Sequence, residues 1–414
     1  MCNRRPAGRY LAGSLTLASA LTAGITGLAP ADAAVAACSW TDGMQPPRLS
    51  TNASFKSVAV PSASQAWAVG TTTDSRGATH ALIEHWNGSA WSTLPVPRLR
   101  SSSLLSVRSA SSTSAWSVGT VLNARHQERA LILHWNGKVW AQQPSPNPGT
   151  SFDKLDGVRI VSPASAWAVG TYSSGGPRFR SLILHWNGTA WKQVNSPNPC
   201  LGNQLAAVAA TSGSNAWAVG LASNAALAVG LGTRMQLAAS ADPRTFILHW
   251  NGRTWSQAAS PSPGAFDFLE AVGATSATNA WAVGSTGPRG TEQTLILHWN
   301  GRTWRQVASP NLDGSGKTDL HGVTATSATN AWAVGSGQDG PAFILRWDGH
   351  RWQPGPALVL NTNLNGVAAS SAGNAWAVGD VLDGTVTRPL ALHCGAVITL
   401  SPKKGVRGYQ LVAG

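Results

Sequence analysis

Short apolar runs separated by clusters of turn residues recur along the chain with a period of about fifty residues. Each period contains A-W-A-V-G or a close variant, a variable segment, an aliphatic run such as L-I-L-H-W, the dipeptide Asn-Gly and a further tryptophan. Apolar runs of this length, bounded by Gly, Asn, Ser and Pro, are typical of short strands. Because one unit cannot bury its apolar face alone, the units must stack into an array.

Nineteen of the twenty tryptophans fall into three columns of this repeat. The first column lies in A-W-A-V-G, the second ends the aliphatic run, and the third follows five residues later. The columns are Trp67, Trp116, Trp167, Trp217, Trp281, Trp332 and Trp376; then Trp86, Trp135, Trp186, Trp250, Trp299 and Trp347; then Trp91, Trp140, Trp191, Trp255, Trp304 and Trp352. The first column therefore has seven members and the other two have six each.

The sixth unit shows how the repeat divides into strands. We predict strands over residues 320–326, 331–335 and 342–347 and a fourth from His350 onward, with Asp348-Gly349 as a two-residue hairpin turn. Asn-Gly occupies this turn in the other five complete copies. Four antiparallel strands per unit form a propeller blade, and seven blades suit a closed ring. The predicted fold is all-β, a seven-bladed β-propeller of four-stranded antiparallel blades.

The repeat resembles that of kelch-like propellers over residues 40 to 394. A-W-A-V-G looks like the kelch strand that ends in glycine, although one glycine stands in place of the Gly-Gly pair. Asn-Gly-x-x-Trp is similar to the Asp-box of sialidase-type propellers, with a spacing one residue shorter. The repeats A-W-A-V-G and H-W-N-G-x-x-W also resemble those of secreted actinobacterial proteins. These resemblances imply the propeller fold and the packing of the third-column tryptophan between blades.

The twentieth tryptophan, Trp40, indicates how the ring closes. It precedes Trp67 by 27 residues, and the equivalent spacing elsewhere is 24 to 28, so we expect the N-terminal segment to be the outer strand of the last blade. Cys394 occupies the position of a second-column tryptophan, just before the hairpin turn, and Cys38 occupies the position just after that turn. Residues flanking such a turn have Cβ atoms about 4.5 to 5.5 Å apart, which suits a disulfide. We predict a bond between Cys38 and Cys394; two free buried thiols are the alternative.

The N-terminal segment predicts export. Arg4, Arg5 and Arg9 precede an uncharged stretch and a run of small residues, which is typical of a signal peptide cleaved after Ala33 or Ala36. We expect residues 1–36 to be this peptide, 37–394 the propeller and 395–414 a tail. The mature protein is then secreted, without a transmembrane segment, and monomeric. Lipid attachment at Cys38 is the alternative location.

The formal charge of +13 is carried by scattered basic residues, among them Arg178 and Arg289. Their spread indicates a solvated surface; attraction to anionic polymers is the sharper interpretation. No run of basic residues is dense enough to predict specific nucleic-acid binding.

Most conspicuous polar residues have structural explanations. Six histidines form a column, His85, His134, His185, His249, His298 and His393, and equivalent residues of a ring cannot converge on one metal ion. We expect these histidines and the tryptophan columns to pack the blades, with stacking platforms for sugars as the alternative for the tryptophans. No nucleophile triad, phosphate loop or zinc spacing is present, and we expect neither a metal nor a cofactor.

One column differs from blade to blade, two residues before the valine of the first strand. It comprises Lys56, Leu105, Asp156, Ala206, Glu270, His321 and Asn365. We expect it to line the mouth of the channel, where Lys56, Asp156, Glu270, His321 and Asn365 would contact a ligand. Asp156, Glu270 and His321 would suit acid–base chemistry if they converge; polar lining of a hydrated channel is the alternative.

Three hypotheses for the function follow. The first is a non-enzymatic binding or scaffold propeller that recognises a glycan or a cell-surface protein through the end that carries the variable loops. The second is an extracellular polysaccharide hydrolase or lyase that uses carboxylates at the channel mouth. The third is an envelope-associated structural module. We expect binding rather than catalysis, and the sequence assigns no residue a catalytic role.

Overall fold

The computed structural model describes residues 39–41, 52–225, 227–228, 236–237, 242–310, 317–337, 341–356, 358 and 361–395. Every secondary-structure element in these ranges is a β-strand. In chain order the strands are β1 (Ser39–Thr41), β2 (Asn52–Ser62), β3 (Gln65–Thr73), β4 (Thr79–Trp86), β5 (Trp91–Thr93), β6 (Ser102–Ser111), β7 (Ser114–Leu122), β8 (Glu128–Trp135), β9 (Trp140–Gln142), β10 (Phe152–Ser162), β11 (Ser165–Ser173), β12 (Arg180–Trp186), β13 (Trp191–Gln193), β14 (Gly202–Ser212), β15 (Asn215–Ser223), β16 (Leu227–Ala228), β17 (Gln236–Leu237), β18 (Arg244–Trp250), β19 (Trp255–Ala258), β20 (Phe268–Ser276), β21 (Asn279–Thr286), β22 (Gln293–Trp299), β23 (Trp304–Val307), β24 (Thr318–Ala325), β25 (Ala331–Gly337), β26 (Ala342–Trp347), β27 (Trp352–Pro354), β28 (Thr362–Ser371), β29 (Asn374–Asp383) and β30 (Val386–Gly395).

These strands form seven four-stranded antiparallel sheets, which confirms the predicted propeller. Blades 1 to 6 begin at β2, β6, β10, β14, β20 and β24. Blade 7 has the order β1-β30-β29-β28, so its outer strand comes from the N-terminal segment. Trp40 pairs with Cys394 in this sheet, the same register that pairs Trp299 with Trp304 in blade 5. The assignment of Trp40 to the third column is therefore correct.

The tryptophan columns form the core between blades. Trp217 of blade 4 contacts Trp299 and Trp304 of blade 5, with ring centroids 4.7 and 5.2 Å apart, and the second pair is T-shaped. Edge-to-face contacts are favoured because the positive edge of one ring meets the negative face of the other. Trp376 of blade 7 makes the equivalent T-shaped contact with Trp91 of blade 1 at 5.1 Å, which closes the ring.

The hairpin after the third strand differs from the prediction. Trp299 pairs with Trp304, so four residues separate the paired tryptophans, and only Gly301 has a positive φ. Asn300 is favoured for another reason: its Oδ1 accepts the backbone N–H groups of Arg302 and Thr303 at 3.0 Å each. Because its side chain accepts these bonds, Asn300 fits the turn without a left-handed backbone of its own, and only the glycine adopts one.

This correction also changes the geometry behind the predicted disulfide. The residue opposite Cys394 is Trp40, not Cys38. Cys38 lies outside the described residues, so the bond stays a prediction. The structure assigns no free thiol to either described cysteine, Cys200 or Cys394.

The sixth unit also tests the predicted strand ends. The predicted third strand agrees in full with β26 (Ala342–Trp347), but β24 (Thr318–Ala325) begins two residues before the predicted start at Leu320. The fourth strand, β27, begins at Trp352 instead of His350, because residues 348–351 form the turn. In the part of the chain that the structure describes, no helix has the length and apolar character needed to cross a membrane.

Candidate functional site

Each blade's inner strand carries a β-bulge, and the bulge residue is the polar-column residue identified from the sequence. In blade 3, Leu155 pairs with Gly170 and Gly157 with Val169, so Asp156 is the extra residue. The equivalent bulges are at Lys56, Leu105, Ala206, Glu270, His321 and Asn365. A bulge bends the strand and redirects a side chain. All seven residues line one central cavity with an empty volume of about 510 Å³, a figure that includes open solvent.

The bulge explains the glycine of A-W-A-V-G. A Cβ on Gly170 would lie 2.0 Å from the carbonyl oxygen of Lys154, which the bulge pushes toward the second strand. The glycines of all seven blades share this contact, with Cβ-to-oxygen distances from 1.8 to 2.1 Å. Real Cβ atoms do not approach this closely, so only glycine fits. The bulge that shapes the channel wall therefore requires glycine at the facing position of the second strand.

The bulge residues lie near the middle of the inner strands, and their place at a ligand site stays a prediction. Lys56 is the fifth residue of the eleven in β2. The side chains that precede the bulge by two positions lie closer to the variable-loop end, and two of them contact bulge residues. Lys154 Nζ lies 2.9 Å from Asp156 Oδ1, and Ser54 Oγ accepts a hydrogen bond of 2.9 Å from Lys56 Nζ.

A polar network joins the first and last blades at this level. Asp380 accepts hydrogen bonds from Ser54 Oγ at 2.5 Å, Asn363 Nδ2 at 3.1 Å and Asn365 Nδ2 at 3.2 Å. Asn365 Nδ2 also donates to the carbonyl oxygen of Phe55 in blade 1 at 2.8 Å. Asn365 is thus anchored across the junction where the ring closes, and Lys56 joins the same network through Ser54. Both residues have this structural role in addition to their place in the cavity.

Of the three residues considered for acid–base chemistry, the structure brings two together. Glu270 Oε2 lies 3.9 Å from His321 Nδ1, and His321 Nε2 is 3.0 Å from Ser336 Oγ. Asp156 is instead paired with Lys154 in its own blade. Burial raises the pKa of Asp156 above its ordinary value, and the ammonium of Lys154 offsets part of this rise. At the bulge position itself, Leu105 and Ala206 make the wall apolar in blades 2 and 4.

The register places the variable loops at one end of the ring and the uniform turns at the other. In blade 1, Asn52 pairs with Thr73 at the end that carries the loop of residues 74–78, and Ser62 pairs with Gln65 at the opposite end. The variable end also carries the insertion between β15 and β18, which contains the separate hairpin β16–β17. At the uniform end, Trp299 Nε1 donates to the carbonyl oxygen of Ala277 at 3.0 Å, which ties the third turn to the first.

Loops at the variable end present exposed arginines that the sequence showed only as scattered charges. Arg76 and Arg125 occupy the third position of two five-residue loops of the same design. In each loop the first residue, Asp74 or Asn123, accepts two backbone N–H groups, one of them from the arginine. Arg178 and Arg289 are exposed in the corresponding loops of blades 3 and 5. The spacing of 49 residues between Arg76 and Arg125, close to one repeat, was the available signal for these two.

Arg289 differs from the other three because its guanidinium lies over the ring of Phe266, 5.3 Å from the centroid. No described salt bridge includes Arg76, Arg125 or Arg178. The described part of this face therefore presents positive charge from four blades. Sequence reasoning also missed Arg108, which lines the cavity, and Arg159, which occupies the equivalent position in blade 3.

The histidine column packs against the first-column tryptophans. Each of the six histidines has its ring centroid 4.1 to 4.4 Å from that of a tryptophan. His298 Nε2 also lies 2.7 Å from Asn279 Oδ1. Burial lowers the pKa of all six below the ordinary value. Among the residues that the structure describes, no three His, Cys, Asp or Glu side chains are grouped to hold a metal.

Known structures share the fold of this chain. No protein-family model matches the chain, and no curated protein matches its sequence. YCF48 from Cyanidioschyzon merolae is 16% identical, with 86% of this chain and 98% of that chain covered and a TM-score of 0.52. YCF48 bound to D1 peptide is 15% identical, covering 87% and 96%, with a TM-score of 0.51. A polysaccharide lyase, the PL25 ulvan lyase bound to -[GlcA(1-4)Rha3S]-, is 10% identical, covering 85% and 96%, with a TM-score of 0.51.

Proposed function

We propose that the protein is a non-enzymatic binding propeller that recognises an acidic glycan or an acidic protein segment through its variable-loop end. The observation that carries this proposal is the set of exposed arginines, Arg76, Arg125, Arg178 and Arg289, in corresponding loops of four blades. Variable loops on a uniform scaffold are the usual place for binding. Arginine pairs with carboxylates and sulfates through a planar fork of donors, which gives geometric specificity as well as charge attraction.

The channel beneath these loops supports the same proposal. Its wall changes from charged to apolar around the ring, with Lys154 and Asp156 in blade 3 and Leu105 and Ala206 in blades 2 and 4. A protruding group of a ligand held by the loops would meet this asymmetric wall. In this proposal the bulge residues Lys56, Asp156, Glu270, His321 and Asn365 select among ligands, and the loop arginines supply most of the affinity.

The test compares two triple variants with the same change in charge. R76A/R125A/R178A removes three cations from the variable end, and K138A/R253A/R302A removes three from the exposed turns of the uniform end. The probes are an acidic polysaccharide, a poly-glutamate peptide and neutral dextran in a titration at 50 mM NaCl. If each exposed charge pair contributes about 0.5 to 1 kcal/mol, the loop variant weakens binding of the acidic probe by about 10- to 100-fold.

The control variant should bind within about threefold of the wild type. Binding should weaken in 300 mM NaCl for the wild type and less steeply for the loop variant, because salt screens exposed charges. If the two variants lose affinity for the acidic probe equally, the interaction depends only on net charge, which would contradict a binding site in the loops. A preference between the polysaccharide and the peptide identifies the ligand class.

The second candidate is a polysaccharide hydrolase or lyase, favoured by the proximity of Glu270 and His321. Its weakness is that both groups lie inside the channel, where a polymer backbone has less access than in an open cleft, and that Asp156 is held by Lys154. Release of reducing ends or of unsaturated products from an acidic polysaccharide, abolished by E270Q, would establish this candidate. If the wild type releases no product and E270Q only weakens binding of the polysaccharide, the result supports the first candidate, the binding propeller.

We also propose that the protein acts outside the cytoplasm as a monomer. The basic, apolar and small-residue segments at the start of the sequence support export, with lipid attachment at Cys38 as the alternative. Export to an oxidising compartment permits the proposed bond between Cys38 and Cys394. It would join the N-terminal strand of blade 7 to β30 at the site of ring closure. Resemblance of the repeats to those of secreted actinobacterial proteins supports export.

A further inference from the structure

Below the bulge residues, the inner strands of two neighbouring blades each carry an arginine, and one of them, Arg108, lines the central cavity. Arg108 pairs with Trp116 in blade 2, and Arg159 pairs with Trp167 in blade 3, so the two residues occupy equivalent positions. In the other five blades this position holds a small residue, namely Ala59, Ala209, Gly273, Thr324 and Ala368. Only blades 2 and 3 therefore carry a long, charged side chain at this position.

The two guanidinium groups are held by backbone carbonyls. Arg108 Nη1 donates to the carbonyl oxygen of Val107 at 2.7 Å, and Arg159 Nε donates to that of Ala210 in blade 4 at 3.3 Å. No described salt bridge includes either arginine. Most of the N–H donors of each guanidinium therefore have no protein acceptor among the described residues.

The charges of the two arginines act on each other. Burial and, second, the charge of Arg159 lower the pKa of Arg108 to about 10, and burial also lowers the pKa of Arg159. Two like charges in a partly desolvated channel destabilise the free protein unless a counter-charge is present. The nearest carboxylate on the strand of Arg159 is Asp156, three residues away and about 10 Å along the strand, and it is paired with Lys154.

We propose that Arg108 and Arg159 form a binding site for a small oxyanion within the channel. The planar fork of arginine suits a carboxylate, a phosphate or a sulfate, and two forks from adjacent blades can clamp one such group. This site is separate from the loop arginines, because it lies on the uniform-end side of the bulge residues. It does not depend on the proposed function of the loops.

The test measures thermal stability as sodium chloride is replaced by sodium sulfate, sodium phosphate or sodium acetate at constant ionic strength. Saturation at about 100 times the Kd raises the melting temperature of the wild type by about 4 °C, from the linkage relation and a typical unfolding entropy for a ring of this size. Sulfate also stabilises folded proteins in general, so the informative quantity is the difference from variants. The three anions separate phosphate, sulfate and carboxylate recognition.

R108Q/R159Q is compared with R253Q/R302Q, which removes two exposed charges from turns of the uniform end. We expect R108Q/R159Q to lose the specific rise and R253Q/R302Q to keep it. R108K/R159K keeps the charge without the fork and should retain less than half of the rise.

In chloride at low ionic strength, R159Q should be at least as stable as the wild type, since it relieves the repulsion between the two guanidinium groups. Equal anion-dependent rises in the wild type and R108Q/R159Q would overturn the proposal. A marked loss of stability in R159Q in chloride would also overturn it, because the arginines would then be structural.

Discussion

Replacing Gly170 by alanine tests the link between the A-W-A-V-G motif and the bulge that places Asp156 in the channel. The added Cβ would lie 2.0 Å from Lys154 O and 2.8 Å from both the carbonyl carbon of Lys154 and the Cα of Leu155. An ordinary contact of a Cβ atom begins at 3.4 Å, so the inner strand would have to move by more than about 1 Å. All three obstructing atoms belong to the backbone, and no side-chain rotation can relieve the clash.

Overpacking in a well-packed interior costs about 1 to 3 kcal/mol and occasionally more. Because backbone must move here, we expect G170A to lower the free energy of unfolding by at least about 3 kcal/mol. The matched control is G213A in the first turn of blade 4, where a Cβ would meet no atom within 4 Å and φ is not positive. This control should change the free energy by less than about 1 kcal/mol, with a small gain from reduced unfolded-state entropy.

The assay is urea unfolding followed by tryptophan fluorescence, which reports the inter-blade core directly. Amide hydrogen exchange of β10 and β11 then shows whether the damage is centred on blade 3. If G170A proves as stable as G213A, the carbonyl of Lys154 does not approach Gly170 as described and the coupling of glycine to bulge is wrong.

The remaining predictions concern pH and the chain ends. The six column histidines have folded pKa values below the unfolded value, so their stabilisation is complete above about pH 6.5 and is lost as the pH falls through the folded values. Urea unfolding at pH 7.5, 6.5 and 5.5 should show falling stability, and H298Q should reduce the slope by at most one proton, about 1.4 kcal/mol per pH unit; an unchanged slope for a folded H298Q would contradict this. Raised carboxyl pKa values, such as that of Asp153 at about 6, act in the opposite direction. Peptide mapping of the non-reduced protein should recover Cys38 joined to Cys394, and reduction should cause a large loss of thermal stability. Recovery of both cysteines as alkylated thiols would exclude this bond.

The repeat was sufficient to predict the fold because its columns report packing. A tryptophan that recurs at one position must meet the same surroundings in every blade, and the aromatic contacts of Trp217 with Trp299 and Trp304 bear this out. Trp40 was assigned by spacing alone, and its pairing with Cys394 agrees. The hairpin register was wrong because Asn-Gly was interpreted through backbone φ, whereas the asparagine side chain makes the turn.

The candidate site was predicted in part. The polar column was recognised by its variation, but the bulge that carries it was not, because the sequence shows this bulge only through the distant glycine of the next strand. The arginines of the variable end lie in loops of unequal length, so alignment by repeat does not bring Arg178 and Arg289 into one column with Arg76. The ring geometry collects them at one end.

The most direct test of the proposed binding face is hydrogen exchange of the protein with and without the acidic probe that binds best. Binding through the arginine-bearing loops predicts slower exchange in residues 74–78, 123–127, 174–179 and 287–292, with no change in the Trp-Asn-Gly turns of the opposite end. Protection confined to those turns, or spread evenly over both ends, would contradict the account.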